Sequence, residues 1–378
     1  MIGVIGGYGD VGEHTVRALH RAGQRLRIGG RDARAAAHAA RRLDGAEHAA
    51  VDITDPGSVR AFAEGLRALV VCAGPSRFTG TTAADAALAA GADYLDAAGD
   101  APHAQPEGAP FVRAGRTAVL SAGLRPGLTG LFPRAVAGWA RADGLTRVHG
   151  LSVHARVVDR FTRTAALEYV HGAAAGAARP LAAWRDGAPR ARALTRRTAT
   201  DLPFFPGRNT LLPQLTGEDE RLARDLGLER GDWLTVLSGE HVTAAFDRVH
   251  TLPPGEAADL LCRAGLLDLA GRRTSVTLAV TAEGTGPHGP GSRTAVLHGT
   301  GNAPLSGAVL ARATLAVLRG DIPPGCHQAA DVLDPEATVT ALTADDGSGA
   351  PPPPARVVHL PTDTAPFTAG AATEEGTL

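Results

Sequence analysis

Val4-Ile5-Gly6-Gly7-Tyr8-Gly9-Asp10-Val11-Gly12 is the stretch from which the rest of the chain is read. It follows a short apolar run, Ile2–Ile5, and opens Val11–Ala22, where apolar residues recur at helical spacing. It fits G-x-G-x-x-G through Gly7, Gly9 and Gly12, and G-x-x-G-x-x-G through Gly6, Gly9 and Gly12. Glycines there let a strand-to-helix turn bring backbone N–H groups and the positive helix end against a pyrophosphate. In isolation such a string can be a turn and nothing more. Between a strand and a helix it points to a dinucleotide.

Outward from this loop the first third of the chain alternates. Arg25–Ile28 is extended, Ala33–Leu43 helical, Glu47–Val51 extended and Ser58–Leu66 helical. Ala68–Cys72 is a buried strand, Thr82–Ala90 a helix closed by Gly91, and Tyr94–Asp96 and Thr117–Ser121 are strands. This predicts an α/β fold, a Rossmann doubly wound parallel sheet, over residues 1–125. The second strand ends Ile28-Gly29-Gly30-Arg31-Asp32. An NAD site wants a carboxylate at that end; here Arg31 suits a 2′-phosphate and Asp32 falls one step late, so NADP(H) is the expected cofactor. The alternative is Arg31 as a solvated cap. The expected cofactor contacts are Gly7, Tyr8, Gly9, Asp10, Val11, Gly12 and Arg31, with Asp52 and Ile53 flanking the adenine. Ala73, Gly74 and Pro75 approach the nicotinamide.

After Gly127 the texture changes. Leu128–Arg141 is helical, and Val148–Val158 and Trp233–Leu237 alternate apolar with polar residues. Ser275–Ala282 and Arg293–Gly299 read as a hairpin with Gly284–Gly291 as its loop. An α+β substrate and dimerisation domain with an antiparallel sheet is expected over 126–300, inserted before helices over 301–344 (Leu305–Arg319, Ala329–Leu342) that return to the first domain. Residues 345–378, rich in Gly, Ser and Pro, are expected to be a flexible tail.

Composition narrows the chemistry. Of 378 residues, 38 are basic and 39 acidic, and every basic one is arginine. Without lysine there is no P-loop ATP site, no Schiff base and no Tyr-x-x-x-Lys dyad. The balanced charge argues against nucleic acid, and no apolar run is long enough to span a membrane. Met1 leads straight into an apolar strand without a basic leader, so no signal peptide and a cytoplasmic location are expected. The three cysteines (Cys72, Cys262, Cys326) are expected as free thiols, and the histidines show no metal-ligand spacing, so no metal is expected.

The first third resembles the saccharopine dehydrogenase-like family of NAD(P) oxidoreductases. The likeness rests on the glycine loop with Gly30-Arg31-Asp32, Val51-Asp52-Ile53-Thr54-Asp55, Val71-Cys72-Ala73-Gly74-Pro75, Tyr94-Leu95-Asp96 with Gly99-Asp100, and Ala122-Gly123-Leu124-Arg125-Pro126-Gly127. The resemblance implies a small-molecule substrate, a homodimer and hydride transfer at a carbon–nitrogen bond. It suggests reduction of a small carboxylate-bearing or cyclic imine, in specialised metabolism. Arg125 stands where many members carry aspartate, which argues against saccharopine itself.

Imine reduction needs an acid near the nitrogen and a cation for a carboxylate. The expected acids are His154, Tyr169 and Asp100, with Asp96 and His103 nearby. The expected substrate-binding cations are Arg125, Arg156 and Arg160. His154 and Arg156 share a strand face, because side chains repeat every two residues. Reduction of C=O or C=C on the same frame, or a non-catalytic NADP sensor, are the alternatives.

Overall fold

In the computed structural model the described residues are 1–99, 105–344 and 352–360. The first domain runs β1 (Ile2–Ile5), α1 (Asp10–Arg21), β2 (Leu26–Gly30), α2 (Ala33–Arg41), β3 (Glu47–Ala50), α3 (Pro56–Ala63), β4 (Ala68–Val71), α4 (Ser76–Thr79), α5 (Thr82–Ala89), β5 (Asp93–Asp96), α6 (Gly108–Ala114) and β6 (Thr117–Leu120). The local causes are plain. Helix α1 buries Gly12, Thr15, Val16 and Leu19, a single i, i+3, i+4, i+7 stripe. Helix α2 is capped by Asp32, whose carboxylate accepts from the N–H groups of Arg34 and Ala35. Strands β1 and β4 are buried at every position, as central parallel strands must be.

The second domain runs α7 (Leu128–Ala142), β7 (Arg147–Val158), α8 (Arg163–Ala174), β8 (Ala178–Pro180), β9 (Ala183–Arg185), β10 (Ala188–Arg190), β11 (Arg197–Leu202), β12 (Phe205–Thr216), α9 (Gly217–Asp225), β13 (Arg230–Leu237), α10 (Glu240–Arg248), α11 (Pro254–Leu269), β14 (Ser275–Gly286) and β15 (Gly289–Gly299). The chain closes with α12 (Asn302–Arg319), β16 (Gly325–Gln328), α13 (Ala329–Val332), α14 (Pro335–Thr343) and β17 (Ala355–His359).

Among the described residues the first sheet has seven strands in the order β16-β6-β5-β4-β1-β2-β3. The order reverses between β1 and β4, so the loops at their carboxyl ends border the crevice where this topology holds ligands. The second sheet has ten strands, with the path β10-β9-β13-β7-β14-β15-β17 and β12 joined to β13. One face of this sheet (Val153, Leu278, Val280, Ala295, Leu297) packs into a core shared with α7, α12 and the first sheet. Helices α12 and α1 lie close: a Cβ on Gly307 would sit 2.5 Å from His14 Cβ.

Four details depart from the sequence expectations. The second sheet is mixed, because β13 runs parallel to β7 after a long crossover through α8 and α9. The β14–β15 hairpin continues to Gly286 and resumes at Gly289, leaving Pro287-His288 as its turn. Its glycines serve close approach: a Cβ on Gly284 would sit 2.2 Å from the Arg147 carbonyl oxygen. The expected helix over Ala329–Leu342 breaks at Leu333, because Pro335 starts a new helix that Asp334 caps. Within the stretch 345–378, expected as one flexible tail, Ala355–His359 forms an edge strand on β15.

Candidate functional site

The glycine loop is built as a close strand-to-helix turn. Gly6 has φ +78°, and a Cβ there would meet the Cys72 backbone at 3.0 Å. A Cβ on Gly12 would sit 2.0 Å from the Gly6 carbonyl oxygen, so only glycine lets α1 start so near β1. The Gly6 N–H donates to the Gly29 carbonyl (2.8 Å), and Glu13 N–H to Gly9 (2.8 Å). The N–H groups of the first helical turn, from Asp10 on, have no partner within the helix, as a helix start leaves them, and such groups suit an anion.

Tyr8 braces this loop against β2. Its hydroxyl accepts the Asp32 N–H at 3.0 Å, and its ring leaves no room for a Cβ on Gly30. The Asp32 carboxylate is committed to capping α2, while Arg31 is exposed at the end of β2. Asp52 accepts from the Thr54 N–H (3.0 Å) and hydroxyl (2.7 Å). These bonds, with the Arg31 charge adding, hold its carboxyl below the usual range. Ile53 is buried in the core beside Val59 and Phe62, so its side chain is a packing residue.

The second domain reaches over the loop after β4. Glu168 on α8 accepts the Ser76 N–H at 2.7 Å and also the Ser76 hydroxyl. A Cβ on Gly74 would sit 3.3 Å from Thr164 Cγ2. Tyr169, the next residue, stands on the same helix and turns to another side, its ring 4.9 Å from that of Phe246. Burial pushes the Tyr169 hydroxyl pKa up, against a hydrogen bond with the Gln214 amide and the Arg125 charge.

Arg125 comes from the turn after β6. Its Nη1 donates to Thr235 Oγ1 (2.8 Å) and its Nη2 to Gln214 Oε1 (3.5 Å). Gln214 therefore joins the guanidinium to the phenol. The turn is held by Glu218, which accepts the Gly127 N–H and the Thr129 hydroxyl, each at 2.7 Å. Burial, then the neighbouring Asp219 charge, pushes the Glu218 carboxyl up to about 8, and the two hydrogen bonds oppose the rise.

Register separates the other expected residues from this cluster. Thr235 is opposite Ala155, whereas His154 is opposite Leu234 and Ala279. Adjacent strand residues face opposite ways, so His154 and Arg156 look away from Arg125 and Thr235. His154 is 1% exposed and lies 6.3 Å from the Phe205 ring; burial, then Arg197, lowers its pKa to about 3. Arg156 is 6% exposed. Its Nη2 donates to Thr277 Oγ1 (3.3 Å), and its guanidinium stands 5.5 Å from the Phe205 ring. The structure therefore does not bring either of them together with Arg125, as the expected roles had them. Arg160 also lies elsewhere than expected, because it holds Asp10 of the glycine loop at 2.7 Å.

Asp100 and His103 lie outside the described residues. Asp96 is 7% exposed and accepts from the Tyr94 hydroxyl (2.7 Å) and the Ala98 N–H (2.9 Å). Burial pushes the Cys72 thiol up to about 12, which suits packing and not attack. Among the described residues no cluster of three His, Cys, Asp or Glu could hold a metal ion, and no helix is long and apolar enough to cross a membrane. Sequence reasoning missed Gln214, Thr235 and Glu218. A capping box, Thr216 with Asp219, does mark the start of α9 and hence the region of Glu218; nothing in the sequence marks Gln214.

Residues 2–119 match the family model described as the saccharopine dehydrogenase NADP binding domain. Among solved structures, the apo histidine-tagged saccharopine dehydrogenase (L-Glu forming) from Saccharomyces cerevisiae is 14% identical, with a TM-score of 0.66 over 95% of this chain and 99% of that one. GenD2 from gentamicin A biosynthesis, in complex with NAD, is 16% identical, with a TM-score of 0.45 over 96% of each chain. A short-chain dehydrogenase/reductase from Vibrio parahaemolyticus is 11% identical, with a TM-score of 0.24 over 25% of this chain and 57% of that one. No curated protein matches the chain.

Proposed function

We propose, from the match of residues 2–119 to the saccharopine dehydrogenase NADP binding domain, an NADPH-dependent oxidoreductase acting on C=N. Its proposed substrate is a small carboxylate-bearing or cyclic imine. The observation that supports it is the joined cluster of Arg125, Gln214, Thr235 and Tyr169, whose tyrosine shares helix α8 with Glu168, the residue that meets Ser76 in the loop after β4.

The donor set of the first domain fits the cofactor. The glycine loop and first turn of α1 offer N–H groups to a pyrophosphate, and exposed Arg31 offers a guanidinium to a 2′-phosphate. Ala73–Pro75 borders the nicotinamide side. When bound, NADPH supplies the hydride. Arg125 is an exposed cation whose remaining N–H groups take a substrate carboxylate. Tyr169, kept protonated by burial, gives its proton to the imine nitrogen as the carbon gains the hydride. Solvent then restores the hydroxyl proton. A homodimer and a place in specialised metabolism are proposed on the family likeness alone.

The test is loss of reduced-nicotinamide absorbance against a panel of imines, ketones and enoyl compounds. Turnover is expected with a carboxylate-bearing imine and is expected to fall about 100-fold or more in Tyr169→Phe, the usual worth of a positioned acid. Turnover of ketones or enoyl compounds alone would overturn the C=N assignment. NADPH binding without turnover of any class would favour a sensor.

A further inference from the structure

The dinucleotide loop carries a charge that opposes its own ligand. Asp10 is the first residue of α1 and is exposed. A carboxylate there suits the helix dipole in the free protein. Once a pyrophosphate occupies the same helix end, however, that carboxylate repels it. The charge is met from the other domain: Arg160 donates from Nη2 to both Asp10 oxygens, at 2.7 and 2.8 Å, across 150 residues of sequence.

Arg160 is held at a built corner. Its own N–H donates to Asp159 Oδ1 (2.8 Å), and Asp159 Oδ2 accepts the Asn302 N–H (3.0 Å) at the start of α12. Helix α12 packs on α1, with Gly307 against His14. The end of β7 is thus pinned between the amino-terminal ends of α1 and α12. The Arg160 and Asp10 side chains keep 54% and 40% of their exposure. Such a surface pair does little for folding, so its value lies in what it does to the field at the loop.

We propose that Arg160 is a cofactor-positioning residue: by cancelling the Asp10 charge it lets the pyrophosphate settle on α1, so the second domain completes the NADP(H) site. This rests on the NADP-binding reading of the first domain. The test is NADPH affinity of the full chain, followed by reduced-nicotinamide fluorescence, for the parent, Arg160→Gln, Asp10→Asn and the double variant. Arg160→Gln is expected to weaken binding by about 10-fold at low salt, the scale of one unscreened neighbouring charge, and by less at high salt. Asp10→Asn alone is expected to bind as tightly as the parent or tighter. The double variant is expected to regain parental affinity within about threefold, because removing the carboxylate removes the need for the arginine. Melting temperatures of all four proteins identify a variant that has lost its fold. Parental affinity in Arg160→Gln overturns the proposal, and so does a double variant as weak as Arg160→Gln. A parent that binds no NADPH overturns the underlying NADP reading instead, and is distinguishable because no variant is then needed to see it.

Discussion

The two faces of the second-domain sheet carry similar polar side chains in opposite settings. On one face, Thr235 and Gln214 meet an exposed arginine, Arg125, and Gln214 also meets a half-buried tyrosine. On the far face, Thr277 meets a buried arginine, Arg156, closed under Phe205 beside a buried histidine. The chemistry of the pairs is alike; the difference is solvent and company. Exposed Arg125 has N–H groups beyond those it donates to Thr235 and Gln214. Burial, then the Arg272 charge, lowers the pKa of Arg156, the signature of a cation held in the fold at a cost. A guanidinium–threonine pair is therefore evidence for a binding site only when its face is known.

The sharpest way to break this contrast is Arg125→Ala. If Arg125 holds the substrate carboxylate, kcat/KM falls about 100-fold or more, the worth of a charge-assisted contact of about 3 kcal/mol. The melting point should hardly move, because the side chain is exposed. Steady-state rates and a melting curve on the same preparation check both halves. Comparable loss of kcat/KM in Arg156→Met, with its melting point unchanged, would erase the distinction between the faces.

The next effect belongs to the far face. His154 has its pKa lowered to about 3 by burial, then by the charge of Arg197. Unfolded, it titrates at about 6.5. Between these values the unfolded chain binds the extra proton, so stability falls as pH falls from about 6.5 toward 3. By pH 5 the cost is about 2 kcal/mol. His154→Leu removes that proton uptake. Its melting point should decline less steeply than the parent's between about pH 6.5 and 5, with kcat/KM preserved. Parallel declines in the two proteins would show that His154 is not closed off from water.

The same contrast explains how much could be read from residues alone. Strands β1 to β6 and helices α1, α2, α3 and α5 were legible because parallel βα units repeat a short vocabulary: a buried apolar run, a cap such as Asp32, a closing glycine. The seventh strand, Gly-Cys-His-Gln at 325–328, was not, because an edge strand of mixed polarity has no period to detect. In the second domain the alternation over β7 correctly joined His154 to Arg156. A period of two says which residues share a face but not which face meets Arg125; that depends on β13 lying parallel beside β7. Arg125 was visible through its turn. Gln214 and Thr235 were not, since each gains its role from an arginine 89 and 110 residues away. Glu218 is similar: its partners Gly127 and Thr129 are distant in sequence, and its raised pKa follows from burial that only the fold creates.

The smallest expected effect gives the cleanest comparison, because one chemical change can be made on both faces. Thr235→Val and Thr277→Val each delete a hydroxyl that accepts from an arginine, at 2.8 and 3.3 Å respectively, while nearly keeping the side-chain volume. On its own face Arg125 loses one of two anchors and retains Gln214. A hydrogen bond of this kind contributes about 1 kcal/mol, so KM for the carboxylate-bearing substrate should rise roughly fivefold, with kcat nearly unchanged and the melting point preserved. On the far face Thr277 is 1% exposed, and the loss leaves a buried guanidinium with less compensation. The cost there is about 1–3 kcal/mol of stability, seen as a lower melting point with KM unchanged. Kinetics and melting of the two variants together form a crossed test. If Thr277→Val raises KM while Thr235→Val lowers the melting point, the faces are assigned the wrong way round, and the site belongs with His154 and Arg156 after all.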